Sequence, residues 1–200
     1  MESNPGRRPV RAQEPSRPSD HYTASDVARF CQVDLKTIHN WADKGEIRHF
    51  RTPGRHLRFR RLDVIEFLRR YRYAIPDELR ARRPRLVLVD AESASVAAAR
   101  RTLGRRFDVT AFADPLDALV SVAALDPDVL VLDLDLAGFD GVHFLSRVKA
   151  LDVTAHIRVF VTTRRGHLRD ELRAAGALEV FAKEDATGLR DALERLLGVD

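Results

Sequence analysis

The spacing of hydrophobic and polar residues changes partway along the chain, near residue 84. Before that point, the apolar residues Ala24, Val27, Ala28 and Cys31 fall at positions i, i+3, i+4 and i+7, which is the spacing of one helix face. After it, continuous apolar runs at 86–89 and 129–132 alternate with helical stripes, as expected for strands that are buried on both faces. With the hairpin described below, the pattern predicts an α+β first half and an α/β second half of alternating strands and helices.

The first half is predicted to hold two short helices joined by a tight turn. Thr23 followed by Asp26 resembles a capping box, so a helix is expected to start there and run to about Cys31. Asp34 is expected to cap a second helix that ends before Gly45. The buried side of that second helix is predicted to carry Leu35, Ile38 and Ala42. A further helix is expected over 62–72.

A hairpin is expected between these helices, with its turn at Pro53-Gly54. Pro presets φ for the first central position of a turn, and Gly supplies a positive φ at the second. Apolar residues of the second strand share one face and cationic or imidazole residues share the other: Leu57 and Phe59 against His56, Arg58 and Arg60. Such a ribbon suits a polyanion.

The helix and the hairpin together indicate a DNA-reading unit. The residues expected to contact DNA are Lys36, Thr37, His39, Asn40, Arg48, Arg51, Arg55, His56, Arg58 and Arg60. His39 and Asn40 are the candidates for base edges, because an Asn amide can pair bidentately with adenine. The cationic residues are the candidates for phosphate contacts, with Arg61 as a neighbouring one.

The segment YTASDVARFCQVDLKTIHNWADKGEIRHFRTPGRHLRF resembles the MerR and excisionase-type winged-helix family, whose wing often reads R-T-P-G-G-H-R-R-F. Here Arg55 replaces a glycine and Leu57 replaces a basic residue. The resemblance implies that the second helix enters the major groove of double-stranded DNA. It also implies that the wing contacts the flanking backbone or the minor groove.

Charge is divided unevenly between the two halves. Residues 1–83 carry 19 Lys+Arg and 11 Asp+Glu, a net of +8, whereas residues 84–200 carry 15 and 19, a net of −4. A basic half joined to an acidic half favours a nucleic-acid binder attached to a second module. The single cysteine excludes an internal disulfide. No apolar run is long enough to span a bilayer and no apolar signal core is present, so a cytoplasmic location is expected.

The second half contains five β–α repeats, which predict a doubly wound, five-stranded parallel sheet. A site is expected at the carboxyl ends of the strands, where Asp90, Asp133, Thr162 and Lys183 fall. One helix is predicted to start at Pro115 after an Asp114 cap. Its buried stripe is expected to be Leu116, Leu119, Val120 and Ala123.

The segment PDVLVLDLDLAGFDG resembles the phosphoacceptor strand and loop of two-component receiver domains. The resemblance implies that Asp133 is the phosphorylated residue, that Thr162 is the switch hydroxyl and that Lys183 pairs with the phosphoryl group. It further implies a histidine kinase or another protein as partner.

Receivers usually hold Mg²⁺ with two adjacent acids after the first strand and with the phosphoacceptor. Here the pair reads Asp90-Ala91, with Glu92 one place on. Asp90 and Asp133 are therefore the expected ligands, with Glu92 or Asp135 as substitutes. Because Mg²⁺ requires near-octahedral oxygen coordination, Ala91 is expected to weaken the site. Glu184 also replaces the proline that normally follows the lysine.

These features predict a regulator with a disordered basic tail over 1–20, a winged helix over 21–73, a linker over 74–84 and a receiver-like domain over 85–200. Three interpretations of the second domain stay open: phosphorylation at Asp133, signalling without phosphate through a partner or dimerisation, and a purely structural Asp133–Lys183 ion pair. A homodimer is expected, because one winged helix makes a small DNA interface. The alternative function is an architectural or excisionase-like DNA binder. The sequence has no nucleophile–base pair, phosphate-cradling loop or zinc set that would indicate an enzyme.

Overall fold

The computed structural model describes residues 21–197. The predicted tail over 1–20 lies outside the described residues. The chain divides into two compact units between Val64 and Ile65. The predicted domain boundaries at 73 and 85 therefore remain a proposal.

The helix-turn-helix region follows the predicted pattern of caps. Its elements are β1 (His21–Thr23), α1 (Ala24–Cys31), α2 (Leu35–Asp43), β2 (Phe50–Arg51), β3 (Leu57–Arg60) and α3 (Arg61–Arg70), with the division between units falling inside α3. The capping box is present, because the backbone N–H of Asp26 donates to Oγ1 of Thr23 and the N–H of Thr23 donates back to the Asp26 carboxylate. Asp34 caps α2 by accepting from the N–H of Thr37 at 2.7 Å. Gly45 has φ +73°, so the chain leaves the helix where the glycine predicted.

A three-stranded antiparallel sheet with the order β1-β3-β2 carries the wing. The strand β1 was not predicted, because three residues are too few to show an alternating pattern. The predicted positive φ at Gly54 is wrong: Arg55 adopts it instead, with φ +60°. The N–H of Thr52 donates to the carbonyl of His56, so the loop extends one residue beyond the Pro-Gly pair.

The burial of two residues in this region contradicts what was predicted for them. Ile38 and Ala42 are buried as expected, but Leu35 at the first position of α2 is 46% exposed. Periodicity fixes the direction of a side chain, but it does not determine whether another element reaches that far along the helix. Arg61 is only 3% exposed, which removes it from the predicted phosphate contacts.

The second unit contains the predicted doubly wound sheet. Its elements beyond α3 are α4 (Asp77–Arg80), β4 (Arg85–Val89), α5 (Ser93–Leu103), β5 (Asp108–Phe112), α6 (Pro115–Leu125), β6 (Val129–Asp133), α7 (Gly141–Ala150), β7 (Arg158–Thr163), a 3₁₀ turn (Gly166–Leu168), α8 (Arg169–Ala174), β8 (Glu179–Ala182) and α9 (Ala186–Leu197). The five strands pair in parallel in the order β5-β4-β6-β7-β8. The carboxyl ends of β4, β6 and β8 therefore lie at one edge of the sheet.

The helix α6 buries a different face from the predicted one. Ala118 and Val122 are buried, and Leu119 of the predicted stripe packs partly buried against the core. Leu116 is 68% exposed, Val120 is 81% exposed and Ala123 is exposed, so these three predicted positions are wrong. The N-cap at Asp114 forms as expected, through its side chain and the N–H of Leu116. Nearly every residue of α6 is apolar, so several stripes have similar spacing and periodicity cannot choose between them.

Two further features stabilise the second unit away from the site. Leu79 of α4 is fully buried, and the buried Arg158 makes a two-point ion pair with Glu66 at 2.8 and 3.0 Å. Both partners of that pair belong to the second unit. No helix among residues 21–197 combines the length and the apolarity that a membrane crossing requires.

Candidate functional sites

The carboxyl edge of the parallel sheet holds a buried cluster of charges. Asp90 follows β4, Asp133 ends β6 and Lys183 follows β8. Buried apolar strands carry each of them to this edge, so the sheet topology places residues that are 93 positions apart side by side. We refer to Asp90, Glu92, Asp133 and Lys183 as the acid pocket.

Lys183 is the centre of the acid pocket. Its Nζ lies 2.6 Å from Oδ2 of Asp133, 3.2 Å from Oε1 of Glu92 and 3.7 Å from Oδ1 of Asp90. The other carboxylate oxygen of Asp133 accepts from the N–H of Asp135 at 3.1 Å. Each oxygen of the buried Asp133 carboxylate therefore has a donor, which is what burial of a charge requires.

The pocket raises the pKa of two of its members, Lys183 and Asp90. Burial opposes the charged form of Lys183, but its hydrogen bonds to Asp133 and Glu92 outweigh burial and raise the pKa of the ammonium. Burial raises the pKa of Asp90, and the nearby charge of Asp133 adds to the rise, against a hydrogen bond from the N–H of Glu92. The surroundings therefore favour the charged form of Lys183 and disfavour the charged form of Asp90.

Arginine side chains, which sequence reasoning did not single out, rim the acid pocket. The guanidinium of Arg164 lies 3.4 Å from Glu92, 3.4 Å from Glu184 and 3.9 Å from Asp135. The adjacent Arg165 bonds to Oδ1 of Asp135 and to the carbonyl of Leu134. The signal was available, because an Arg-Arg pair directly after β7 must fall at the same edge as the acids.

Two other predicted site residues, Thr162 and Asp135, lie next to the acid pocket but are not among its members. Thr162 lies beside Asp133 in the parallel register of β6 and β7. Asp135 turns towards the β7 end, where its carboxylate accepts from Oγ1 of the buried Thr163 and from the N–H of Arg164. Those bonds hold the pKa of Asp135 below its usual value despite some burial. Its side chain therefore tethers the loop after β7.

The donor set does not fit a divalent metal ion. Ala91 offers no oxygen from its side chain, Glu92 is held by Lys183 and Arg164, and Asp135 is held by the loop after β7. Within residues 21–197 no cluster of three or more His, Cys, Asp or Glu side chains is arranged to hold a metal. Asp90 and Asp133 are the two carboxylates that remain, and both lie against the ammonium of Lys183, at 3.7 and 2.6 Å.

The predicted DNA-contacting surface in the first unit is open. Lys36, His39 and Asn40 are exposed on α2, while Thr37 is half-buried. Arg48, which precedes the wing, is exposed as well. Ile38 and Ala42 on the opposite side anchor α2 in the core. The helix thus presents a cation, an imidazole and an amide on its solvent side, which are groups that can bind phosphates and base edges.

The wing adds cationic groups that are partly held in place. Arg51 bonds to the carboxylate of Asp43 at 3.2 Å and to the carbonyl of Arg55. Arg60 lies over the ring of Phe50 at 4.9 Å, and the half-buried Arg58 donates to the carbonyl of Leu57. Arg55 and His56 are exposed at the wing tip.

Comparison with known proteins identifies both regions of the chain. Residues 86–194, more than half of the chain, match the response regulator receiver domain, and residues 22–72 match a helix-turn-helix domain. The chain is 39% identical over 88 residues to sporulation initiation phosphotransferase F of Bacillus subtilis, covering 42% of this chain and 69% of that protein. It is 42% identical over 77 residues to a protein-glutamate methylesterase/protein-glutamine glutaminase of Burkholderia thailandensis, covering 38% of this chain and 22% of that protein.

Solved structures agree with the fold of the second unit. A two-component response regulator of the LuxR family from Aurantimonas has a TM-score of 0.53 at 26% identity, over 59% of this chain and 87% of that chain. The receiver domain of a DNA-binding response regulator protein (merR) from Colwellia psychrerythraea has a TM-score of 0.52 at 22% identity, over 57% of this chain and 98% of that chain.

Proposed function

The chain belongs to the family of response regulator receiver domains, and from that premise we propose that it is a DNA-binding transcriptional regulator of the cytoplasm. The observation that carries the proposal is the presence, in one chain, of an open cationic helix-and-wing surface and a buried Asp133–Lys183 pocket. The helix-turn-helix match favours a regulator over an enzyme, although methylesterases are among the relatives.

The first unit would bind double-stranded DNA through α2 and the wing. Asn40 and His39 on the exposed side of α2 would contact base edges, with Thr37 beside them. Lys36, Arg48, Arg51, Arg55, His56, Arg58 and Arg60 would contact phosphates or a groove wall. A single winged helix buries about 600–1,000 Å² on DNA, so we propose that the protein binds as a homodimer that reads two half-sites.

The receiver half would set when, or with which partner, the protein acts. We favour signalling without a phosphoryl group, through dimerisation or a protein partner. The favouring observation is that Lys183 already neutralises Asp133 in a pocket whose donors do not fit Mg²⁺. The second candidate is phosphorylation of Asp133 by a histidine kinase, with Thr162 and Lys183 responding. It is favoured by the parallel register that puts Thr162 beside Asp133.

Selection from a random duplex pool with the full-length chain, followed by anisotropy titration, tests the DNA-binding function. A discrete, two-fold-related target bound far more tightly than scrambled DNA is the expected result. Sequence-indifferent binding would favour the architectural alternative, and a failure to bind any DNA at low salt would overturn the proposal. Intact mass after incubation with acetyl phosphate and Mg²⁺ then separates the two signalling candidates, because phosphorylation adds one phosphoryl mass at Asp133.

A further inference from the structure

Arg164 is placed where it contacts acids of three other loops. It follows β7, and its guanidinium approaches Glu92 after β4, Glu184 after β8 and Asp135 after β6. An isolated surface ion pair contributes little, but a network in which one guanidinium serves several carboxylates is the exception. Arg164 therefore joins the loops at the carboxyl edge in a way that a single ion pair would not.

The balance of charge at this edge shows how much the arginine matters. The carboxylates there belong to Asp90, Glu92, Asp133, Asp135 and Glu184, and the cations that contact them are Lys183, Arg164 and Arg165. Lys183 neutralises the inner carboxylates from a buried position, whereas Arg164 neutralises the outer ones from the rim. Glu92 is shared between the two cations, at 3.2 Å from Lys183 and 3.4 Å from Arg164.

This arrangement is opposed to binding of a divalent ion in two ways. Glu92, the nearest replacement for the missing acid at Ala91, would have to give up both cations before it could ligate a metal. The guanidinium of Arg164, 3.4 Å from Glu92, would also repel an incoming divalent ion, because like charges repel each other at short range.

We propose that Arg164, together with Lys183, takes the place of the divalent cation of the acid pocket, so that the pocket is closed by an arginine and does not require a metal. Arg164 is thus a positioning residue that ties Glu92 and Glu184 together across the carboxyl edge. The proposal deepens the proposed function, on which it rests only for the statement that this pocket is the regulatory site. Removal of Arg164 would leave Glu92 with Lys183 as its remaining cation and would make the pocket more negative, and would thereby raise its affinity for a divalent ion.

The test is Mn²⁺ binding to the full-length chain, measured by the paramagnetic resonance signal of free Mn²⁺. Arg164→Gln is expected to bind Mn²⁺ at least about tenfold more tightly than wild type, because a repelling charge is lost and Glu92 keeps only one of its two cations. Arg164→Lys keeps the charge and is expected to stay near wild type. Arg165→Gln is the matched control, since it removes a neighbouring arginine whose contacts go to Asp135 and Leu134. Ala91→Asp serves as the positive control for the assay.

The outcomes separate cleanly. The proposal is overturned if wild type binds Mn²⁺ as tightly as Ala91→Asp, or if Arg164→Gln gains no more affinity than Arg165→Gln. Circular dichroism melting of every variant shows whether each remains folded. If Arg164→Gln does not fold, the Mn²⁺ affinity of Arg164→Lys is the measurement that remains, and a clear gain over wild type in that variant would contradict the proposal. DNA binding of each variant is titrated in parallel. If wild type does not bind DNA, the proposed function is overturned, whereas the Mn²⁺ measurement still decides the role of Arg164.

Discussion

Nζ of Lys183 lies 2.6 Å from Oδ2 of Asp133, and the Asp133 side chain is only 1% exposed. The pair connects the ends of β6 and β8, two strands that are separated in the sheet by β7. Because Lys183 also approaches Asp90 and Glu92, the two members of the pair are not equivalent. Lys183 has several anionic partners, whereas Asp133 has one cation.

That asymmetry predicts unequal costs of mutation. Lys183→Met leaves the buried carboxylates without their ammonium and should cost about 3–5 kcal/mol of unfolding free energy, the usual cost of an uncompensated buried charge. Asp133→Asn should cost less, since the amide keeps the shape and Lys183 keeps Asp90 and Glu92. Urea unfolding of both variants at pH 7 measures the difference. Equal costs would show that Asp133 is the only partner of consequence.

The wing turn stores backbone strain that can be removed. Arg55 has φ +60°, a left-handed conformation that costs an L-residue about 1–2 kcal/mol, while glycine adopts it freely but loses about 0.5–1 kcal/mol in chain entropy. Arg55→Gly should therefore stabilise the first unit by about 0.5–1 kcal/mol. Chemical denaturation checks it, with Arg55→Ala as the matched control, because alanine loses the same charge and keeps the unfavourable φ. Stabilisation by both variants would assign the effect to charge.

The extent to which sequence predicted this molecule follows from what each signal encodes. The runs at β4 and β6 could be placed because strands buried on both faces tolerate only apolar residues. The helix α6 could be placed by Asp114 and Pro115, but its buried face could not, because apolar residues surround the whole helix. The acid pocket followed from strand order, whereas the contacts of Arg164 depend on loop geometry that no local pattern encodes.

The exposed face of α6 gives a direct test of that difference. Leu116→Gln and Val120→Gln should each change the unfolding free energy by no more than about 0.5 kcal/mol, as expected for exposed positions. Val122→Ala, at a fully buried position on the same helix, should cost about 1–3 kcal/mol through lost burial and a cavity. Thermal and urea unfolding compare the three. A large loss of unfolding free energy in Val120→Gln would show that the face predicted from periodicity is the buried one.

The capping box of α1 should make stability pH-dependent. Burial alone would raise the pKa of Asp26, but hydrogen bonds from the hydroxyl and backbone of Thr23, and the charge of Arg29, lower it overall. A folded-state pKa below the unfolded one adds stability above the unfolded value, and that stability is lost as the pH falls through the folded value. Asp26→Asn should therefore be less stable than wild type at pH 6.

The same linkage predicts that this deficit shrinks as the pH is lowered from about 4 towards 2, since the unperturbed aspartate titrates at about 3.9. Urea unfolding across that range measures the change. Thr23→Ala should flatten the profile too, because it removes the hydroxyl from the same box. A constant difference between Asp26→Asn and wild type at every pH would rule out the capping carboxylate as its source.

Base reading and phosphate binding should separate by mutation. Asn40→Ala should relax preference at one base pair by about 1–3 kcal/mol, because an amide on the exposed side of α2 carries sequence information. Arg51→Ala should weaken binding to all sequences alike and lower the salt slope by about one unit, as loss of one phosphate contact does.

The Asp43–Arg51 ion pair supplies the matched control for that experiment. Arg51 must leave the carboxylate of Asp43, 3.2 Å away, before it can bind a phosphate. Asp43→Asn should therefore strengthen binding to every sequence, since it frees the guanidinium and removes a negative charge from the edge of the surface. Anisotropy titrations at several salt concentrations measure all three variants. Unchanged affinity for Asp43→Asn together with an unchanged salt slope for Arg51→Ala would show that Arg51 does not contact DNA.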